Sequence, residues 1–356
     1  MREISVKEIE NIRIGSAENK EAATGCTVII CENGAPAGLD VRGGGPASRE
    51  TELLKPLANA DRIHAVLVSG GSAYGLDAAG GVMANLEERG IGLEVGVARV
   101  PLVCQSCLFD LAVGDSKVRP DKAMGYEACE NAWIGVNGNY EDGNVGAGTG
   151  ATVGKALGAE FCMKAGIGSY AVQVGPLKVG AIVAVNAIGD IYDWKNGQKV
   201  AGLLGPDKKS FRSTEELFYQ GYEAAMAAVM EQAGAAGQEN AAGQTEAAMA
   251  AAETAGNANN TGLVTNTTIG VIITNGKFDK SQLCKIAGMT HNGYARSIRP
   301  VHTSMDGDSI YAMSVGEVPA DKDMVGTLAA QVMSEAILRA VQNADSAYGL
   351  VAAKDF

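Results

Sequence analysis

Short apolar runs alternate with longer amphipathic stretches along the 356-residue chain. Thr27 to Cys31 and Ile63 to Val68 are β-branched and read as buried strands. The second feeds a Gly70-Gly71 turn and a helix of small residues from about Ser72 to Arg89. Val179 to Val185, shortly after Pro176, is a further strand, and Glu215 to about Gln232 a helix rich in Ala, Met and Glu. Near the end the pattern predicts strand 267–274, helix 278–297, strand 309–315 and helix 321–344. The last helix carries the broadest stripe, with apolar pairs at Met324/Val325, Leu328/Ala329, Val332/Met333, Ala336/Ile337 and Ala340/Val341. Strands alternating with helices predict a layered α/β architecture.

Between Ala233 and Gly256 the pattern lapses. Eleven alanines occur there with little apolar bulk, and no Lys or Arg lies between Ser213 and Gly276. Gly234, Gly237 and Gly243 interrupt any helix, so about 234–260 is expected to be a flexible linker. Directly after it stands Thr265-Asn266-Thr267-Thr268, a polar knot at the head of the run Ile269 to Ile273. A loop leading into a threonine-rich strand is the simpler account of that stretch taken alone.

Composition narrows the class. A hydrophobic fraction of 46% and 47 glycines suit a globular protein with many tight turns. The net charge of −12 argues against nucleic acid or an anionic membrane as the main partner. The N-terminus MREISVKEIENIRIG is charged throughout, and no run reaches the roughly 18 apolar residues of a membrane span, so a cytoplasmic location is expected. Seven scattered cysteines fit reduced, mostly buried thiols. The sequons at Asn259 and Asn266 are taken as chance matches.

Several motifs fail on inspection. GAGTGATVGKAL lacks a P-loop's first glycine, since Thr149 occupies that place, and Ala156 replaces the magnesium-binding hydroxyl. SGGSAYG does not satisfy G-x-S-x-G around Ser72 and reads as a tight turn. Cys104 and Cys107 form a lone CxxC in an apolar setting, and His64, His291 and His302 are too dispersed for a metal site. His302, five residues before Gly307, is placed near a site, though a Ser-His-Asp assignment would be arbitrary. No metal or cofactor is expected.

One chemistry survives. A threonine hydroxyl is a poor nucleophile without a base beside it. If threonine is the first residue of a chain, its own α-amine, with a reference pKa of about 7.7–8.0, supplies that base. An internal threonine reaches that state only when the preceding bond is cut, and a flexible segment ending at Asn266 before a fixed strand suits such a cut.

TNTTIGVIITN, HTSMDGDSIYAM, VAVNAIGDI, GAGTGATVGKA and SGGSAYGLDAAGG, which occur along the chain in family order, together resemble the L-aminopeptidase/D-esterase/amidase family. These are self-processing N-terminal-nucleophile hydrolases that include nylon-oligomer hydrolase and the β-peptidyl aminopeptidases. The resemblance runs from about residue 15 to 345, the linker excepted. It implies a four-layer α/β/β/α sandwich, one hydrolase domain made of an α piece (1–266) and a β piece (267–356) cut at Asn266–Thr267, assembled as a homotetramer or larger. Thr267 would be the nucleophile and its amine the base. Asn186 matches an oxyanion-stabilising asparagine, Lys155 a lysine that keeps the amine neutral, and Asp306 and Asp308 two carboxylates that orient it. Phe109 stands where nylon-oligomer hydrolase has tyrosine, which puts that exact specificity in doubt; Tyr74 is a second candidate for the substrate pocket.

The implied substrate is a small peptide, amino-acyl amide or oligoamide, cleaved next to a free N-terminus. Endo-hydrolysis of 6-aminohexanoate oligomers is the alternative enzyme reading. An uncleaved, non-catalytic binding or assembly protein is the alternative of another class.

Overall fold

A computed structural model of the chain describes residues 1–135, 137–236 and 266–356, with side chains of 231–236 left out of account. Two sheets lie face to face between two pairs of helices. The five-stranded sheet runs Arg13–Asn19, Thr24–Ala35, Ile63–Ser69, Val103–Cys107, Ala47–Arg49. The six-stranded sheet runs Arg2–Ile4, Ile167–Val174, Leu177–Ala184, Ile269–Gly276, Ser309–Val318, Ala37–Val41.

The layering follows from the two-residue period of a strand, which sends neighbouring side chains to opposite faces. Val271 and Ile273 point into a core shared with Ile29, Val66 and Val68 of the other sheet. Ile272, between them, joins Leu283, Ile286, Val332 and Ile337 from helices Lys280–Ser297 and Lys322–Gln342. On the far side Val28, Ile30 and Leu67 meet Val82, Leu86 and Ala128 from helices Ala78–Glu88 and Lys122–Asn131. Three apolar interfaces between four layers make the α/β/β/α sandwich expected from the resemblance.

The predicted elements exist, with shifted bounds. Thr27–Cys31 is the middle of a longer strand, Thr24–Ala35. The helix expected from Ser72 opens as a 3-10 turn, Ser72–Asp77, because Gly71 and Ser72 both take left-handed backbone angles (φ 81° and 53°). The helix Thr214–Ala236 runs through Gly234, three residues into the expected linker; residues 237–260 of that linker lie outside the described residues. Lys322–Gln342 is long and apolar enough to cross a membrane, but its stripe packs on the six-stranded sheet. All seven cysteines are free and six are buried. His64 is a core residue, as its apolar run predicts, with Nδ1 accepting from Leu102 N at 3.1 Å.

One pairing positions everything that follows. Ile269–Gly276 is a central strand, antiparallel to Leu177–Ala184 on one side and parallel to Ser309–Val318 on the other. The parallel partner is reached through the crossover helix Lys280–Ser297, as parallel pairing requires. The register that sets Ile269 beside Ser309 continues backwards to a bridge between Asn266 and Asp306.

Candidate active site

At the N-terminal end of that central strand, the peptide bond between Asn266 and Thr267 is held from both sides. Its N–H donates to the Asn186 carbonyl at 2.9 Å. Its carbonyl oxygen accepts from Gly307 N at 2.9 Å and from the Thr267 hydroxyl. Thr267 Oγ1 is therefore beside the carbonyl group it would attack. The neighbouring Thr268 is arranged differently. Its N–H donates to Asp308 Oδ1 at 2.8 Å, and its buried hydroxyl has no partner among the described residues. Between these two threonines the contact with the carbonyl singles out Thr267; Thr265 lies outside the described residues.

Asn186 follows the end of strand Leu177–Ala184 and is fully buried. Its Oδ1 accepts from Thr152 N at 3.1 Å and from Lys155 Nζ at 2.6 Å, while Nδ2 donates to Phe109 O at 2.9 Å. A backbone N–H and an amine on one side and a carbonyl on the other assign the amide orientation without ambiguity. One Nδ2 proton is used by Phe109. The second is the one that could meet an oxyanion.

The glycine-rich loop that failed as a P-loop has this task instead. It carries Thr152 and Lys155 to Asn186. Lys155 Nζ also donates to the Asn186 carbonyl at 3.0 Å, the same oxygen that takes the Thr267 N–H. Burial pushes the Lys155 ammonium down to about 7, although the residue keeps part of its stem at the protein surface. A charged Lys155 so close to a freed Thr267 amine would hold that amine neutral. The loop is itself pinned by Lys164, whose buried Nζ donates to Gly148 O (3.0 Å), Ala151 O (3.1 Å) and Ala165 O (2.5 Å). Burial drives the Lys164 ammonium down to about 7, yet three acceptors call for three N–H donors and so for the charged form.

The two aspartates are both buried but have separate partners. Asp308 Oδ2 faces His302 N (3.1 Å) and Nδ1 (3.0 Å), and Oδ1 holds Thr268 N. Asp306 Oδ2 accepts from Thr303 N (2.9 Å) and Oγ1 (2.5 Å), closing the turn before it. Burial, then the charge of Asp308, raises Asp306 to about 6. In the intact chain neither carboxylate takes the Thr267 N–H; Asn186 does.

A cleft of about 530 Å³ opens beside the site, within the range of small-molecule pockets. Phe109, Val113 and Leu350 supply apolar wall, and Lys155, Glu160 and Lys208 supply charge. Thr267, 3% exposed, is not part of its lining. Tyr74 is absent from it too: the ring is 61% exposed and lies under the Arg119 guanidinium at 3.7 Å. One group near the site escaped sequence reasoning. Asp110 accepts from Thr24 Oγ1 (2.6 Å) and Gly71 N (2.7 Å), tying the Gly70-Gly71 turn to the cleft. No sequence spacing signals Asp110, because its partners are distant in the chain. His302 was placed near a site by its spacing to Gly307, but its partner Asp308 depends on the turn between them.

A buried threonine at the head of a central strand, in a four-layer α/β/β/α sandwich, is the arrangement of an N-terminal-nucleophile hydrolase fold. The sequence profile of peptidase family S58 matches residues 5–354, and the chain belongs to that family. It is 34% identical to an uncharacterized aminopeptidase of Mycobacterium leprae, over 97% of this chain and 92% of that one. It is 28% identical to a 6-aminohexanoate-oligomer endohydrolase of Kocuria sp., over 93% of this chain and 84% of the other. Among solved structures it is similar to the L-aminopeptidase D-Ala-esterase/amidase of Ochrobactrum anthropi, with TM-score 0.63, 17% identity and coverage of 98% and 90%. A Burkholderia sp. β-aminopeptidase gives TM-score 0.59 at 18% identity, covering 96% and 86%. The chain is an amide-bond hydrolase of this family.

Proposed function

We propose that the chain cuts itself between Asn266 and Thr267 and then acts as an aminopeptidase with Thr267 as nucleophile. The observation that carries the reading is the Thr267 hydroxyl resting on the Asn266 carbonyl oxygen, in a peptide bond gripped from both sides. After the cut, the Thr267 hydroxyl attacks a substrate carbonyl and the new α-amine takes its proton. Asn186 Nδ2 donates to the oxyanion, and water then hydrolyses the acyl-enzyme. Lys155 keeps the amine neutral; Asp308 fixes the backbone of Thr268 and so the position of its neighbour. Asp306 holds the turn that carries Asp308.

Cleavage next to a free amino terminus is favoured over endo-hydrolysis of 6-aminohexanoate oligomers. The aminopeptidase-named relatives are 33–34% identical to this chain, the oligomer hydrolases 28–29%. Assembly as a homotetramer or larger, and a cytoplasmic location, carry over from the family resemblance as parts of the same proposal. Amino-acyl p-nitroanilides test the substrate class directly. The free-amine compounds should be hydrolysed and their N-acetylated counterparts left intact. Equal rates on both would contradict an aminopeptidase.

A further inference from the structure

We infer that the backbone N–H of Gly307 is the oxyanion donor of the self-cleavage step, a different group from the Asn186 amide proposed for substrate. The inference rests on the self-processing reading above. Gly307 N lies 2.9 Å from the Asn266 carbonyl oxygen, the atom on which negative charge develops when Thr267 attacks. In the ground state this contact is an ordinary rung of the parallel ladder, followed by Ser309 N to Thr268 O at 3.1 Å. What is unusual is the register: it places a rung on the scissile carbonyl itself.

The step balances as an N-to-O acyl shift. Thr267 Oγ bonds to the Asn266 carbonyl carbon, and the carbonyl π pair moves onto the oxygen facing Gly307. Collapse breaks the carbon–nitrogen bond, and the hydroxyl proton ends on the departing Thr267 nitrogen, giving an amine and an ester. Water then releases the Asn266 carboxylate and restores the hydroxyl. Asn186 meets the same peptide bond on its nitrogen side, through its backbone carbonyl, and the one Nδ2 contact in the intact chain is to Phe109 O, whereas Gly307 N already donates to the scissile carbonyl oxygen.

The identity of residue 307 has a second cause. A Cβ there would stand 2.6 Å from Thr267 Oγ1 and 3.0 Å from Gly45 O, so any side chain pushes on the nucleophile. Glycine between the two aspartates leaves room for the hydroxyl and brings the N–H to the carbonyl.

Gly307→Ala confounds these two effects, so the test replaces Gly307 by glycolic acid in the full chain during cell-free translation. This exchanges the N–H for an ester oxygen and adds no bulk. Glycolic acid at Gly45, whose N–H donates to Asp306 O at 2.8 Å, is the control for an ester in the same turn. Intact mass follows release of the piece beginning at Thr267, and circular dichroism checks folding. The ester at 307 should slow release by roughly 10²–10³-fold, the effect of losing one oxyanion donor, and the ester at 45 by less than about tenfold. Release within about tenfold of wild type from a folded 307 ester overturns the inference, as does equal slowing by both esters. If the 307 ester does not fold, N-methylglycine at 307, which also removes the N–H, takes its place, and release within about tenfold of wild type from that folded chain overturns the inference as well. A wild-type chain that never releases the piece overturns self-processing first, and this assignment with it.

Discussion

Thr267 and Lys155 meet on a single oxygen, the Asn186 carbonyl, and this shared contact explains how a weak nucleophile could be armed near neutral pH. Two amines so placed disfavour each other's charged form, and burial has already lowered Lys155 to about 7. The sign follows. A cationic neighbour lowers the pKa of the Thr267 amine, so removing it raises that pKa and delays the rise of activity with pH. Lys155→Gln, which keeps a donor for Asn186, should move the acid limb of kcat/KM upward by about one pH unit. An unmoved limb would mean that the lysine only positions Asn186. That Asn186 and Lys155 lie beside Thr267 was readable from short motifs. The separate partners of Asp306 and Asp308 were not, because two acids one residue apart look equivalent until a turn and a histidine distinguish them.

At the scale of elements, the site is made by register. The same parallel pairing that buries Val271 and Ile273 brings Gly307 to Asn266 and Asp308 to Thr268. Strands Ile63–Ser69, Leu177–Ala184 and Ile269–Gly276 and the two C-terminal helices were legible as apolar runs and stripes. Arg13–Asn19 and Ile167–Val174 were not, since six of the seven positions in the first (RIGSAEN) and four of the eight in the second (IGSYAVQV) are polar or small, and their partners supply the apolar context. The glycine-rich loop was rejected as a P-loop and its Lys155 set near the nucleophile by resemblance alone; its contacts make it a bracket for Asn186. Its own anchor is Lys164. Lys164→Met removes three hydrogen bonds from buried carbonyls and should cost about 2–3 kcal/mol in a denaturant melt, with slower turnover as Thr152 and Lys155 lose their fixed places. A variant as stable and active as wild type would show that the loop holds its shape without it.

For the whole molecule, the important fact is that one core spans the proposed cut. Ile269–Gly276, from the C-terminal side, is sandwiched between Leu177–Ala184 and Ser309–Val318 and contributes to two of the three apolar interfaces. A break at Asn266–Thr267 therefore leaves the strand seated while freeing one new chain end. The layered class was legible from alternating elements; the count of layers came from family resemblance and is explained by alternate residues of single strands feeding different cores. Intact mass of the purified chain, beside Thr267→Ala, tests the central claim most directly. The wild type should give two pieces, residues 1–266 and 267–356, with the second beginning Thr-Thr-Ile-Gly-Val, and the variant one inactive full-length species. A wild type that stays whole yet hydrolyses amides, or a Thr267→Ala chain that still separates at this bond, would contradict the account.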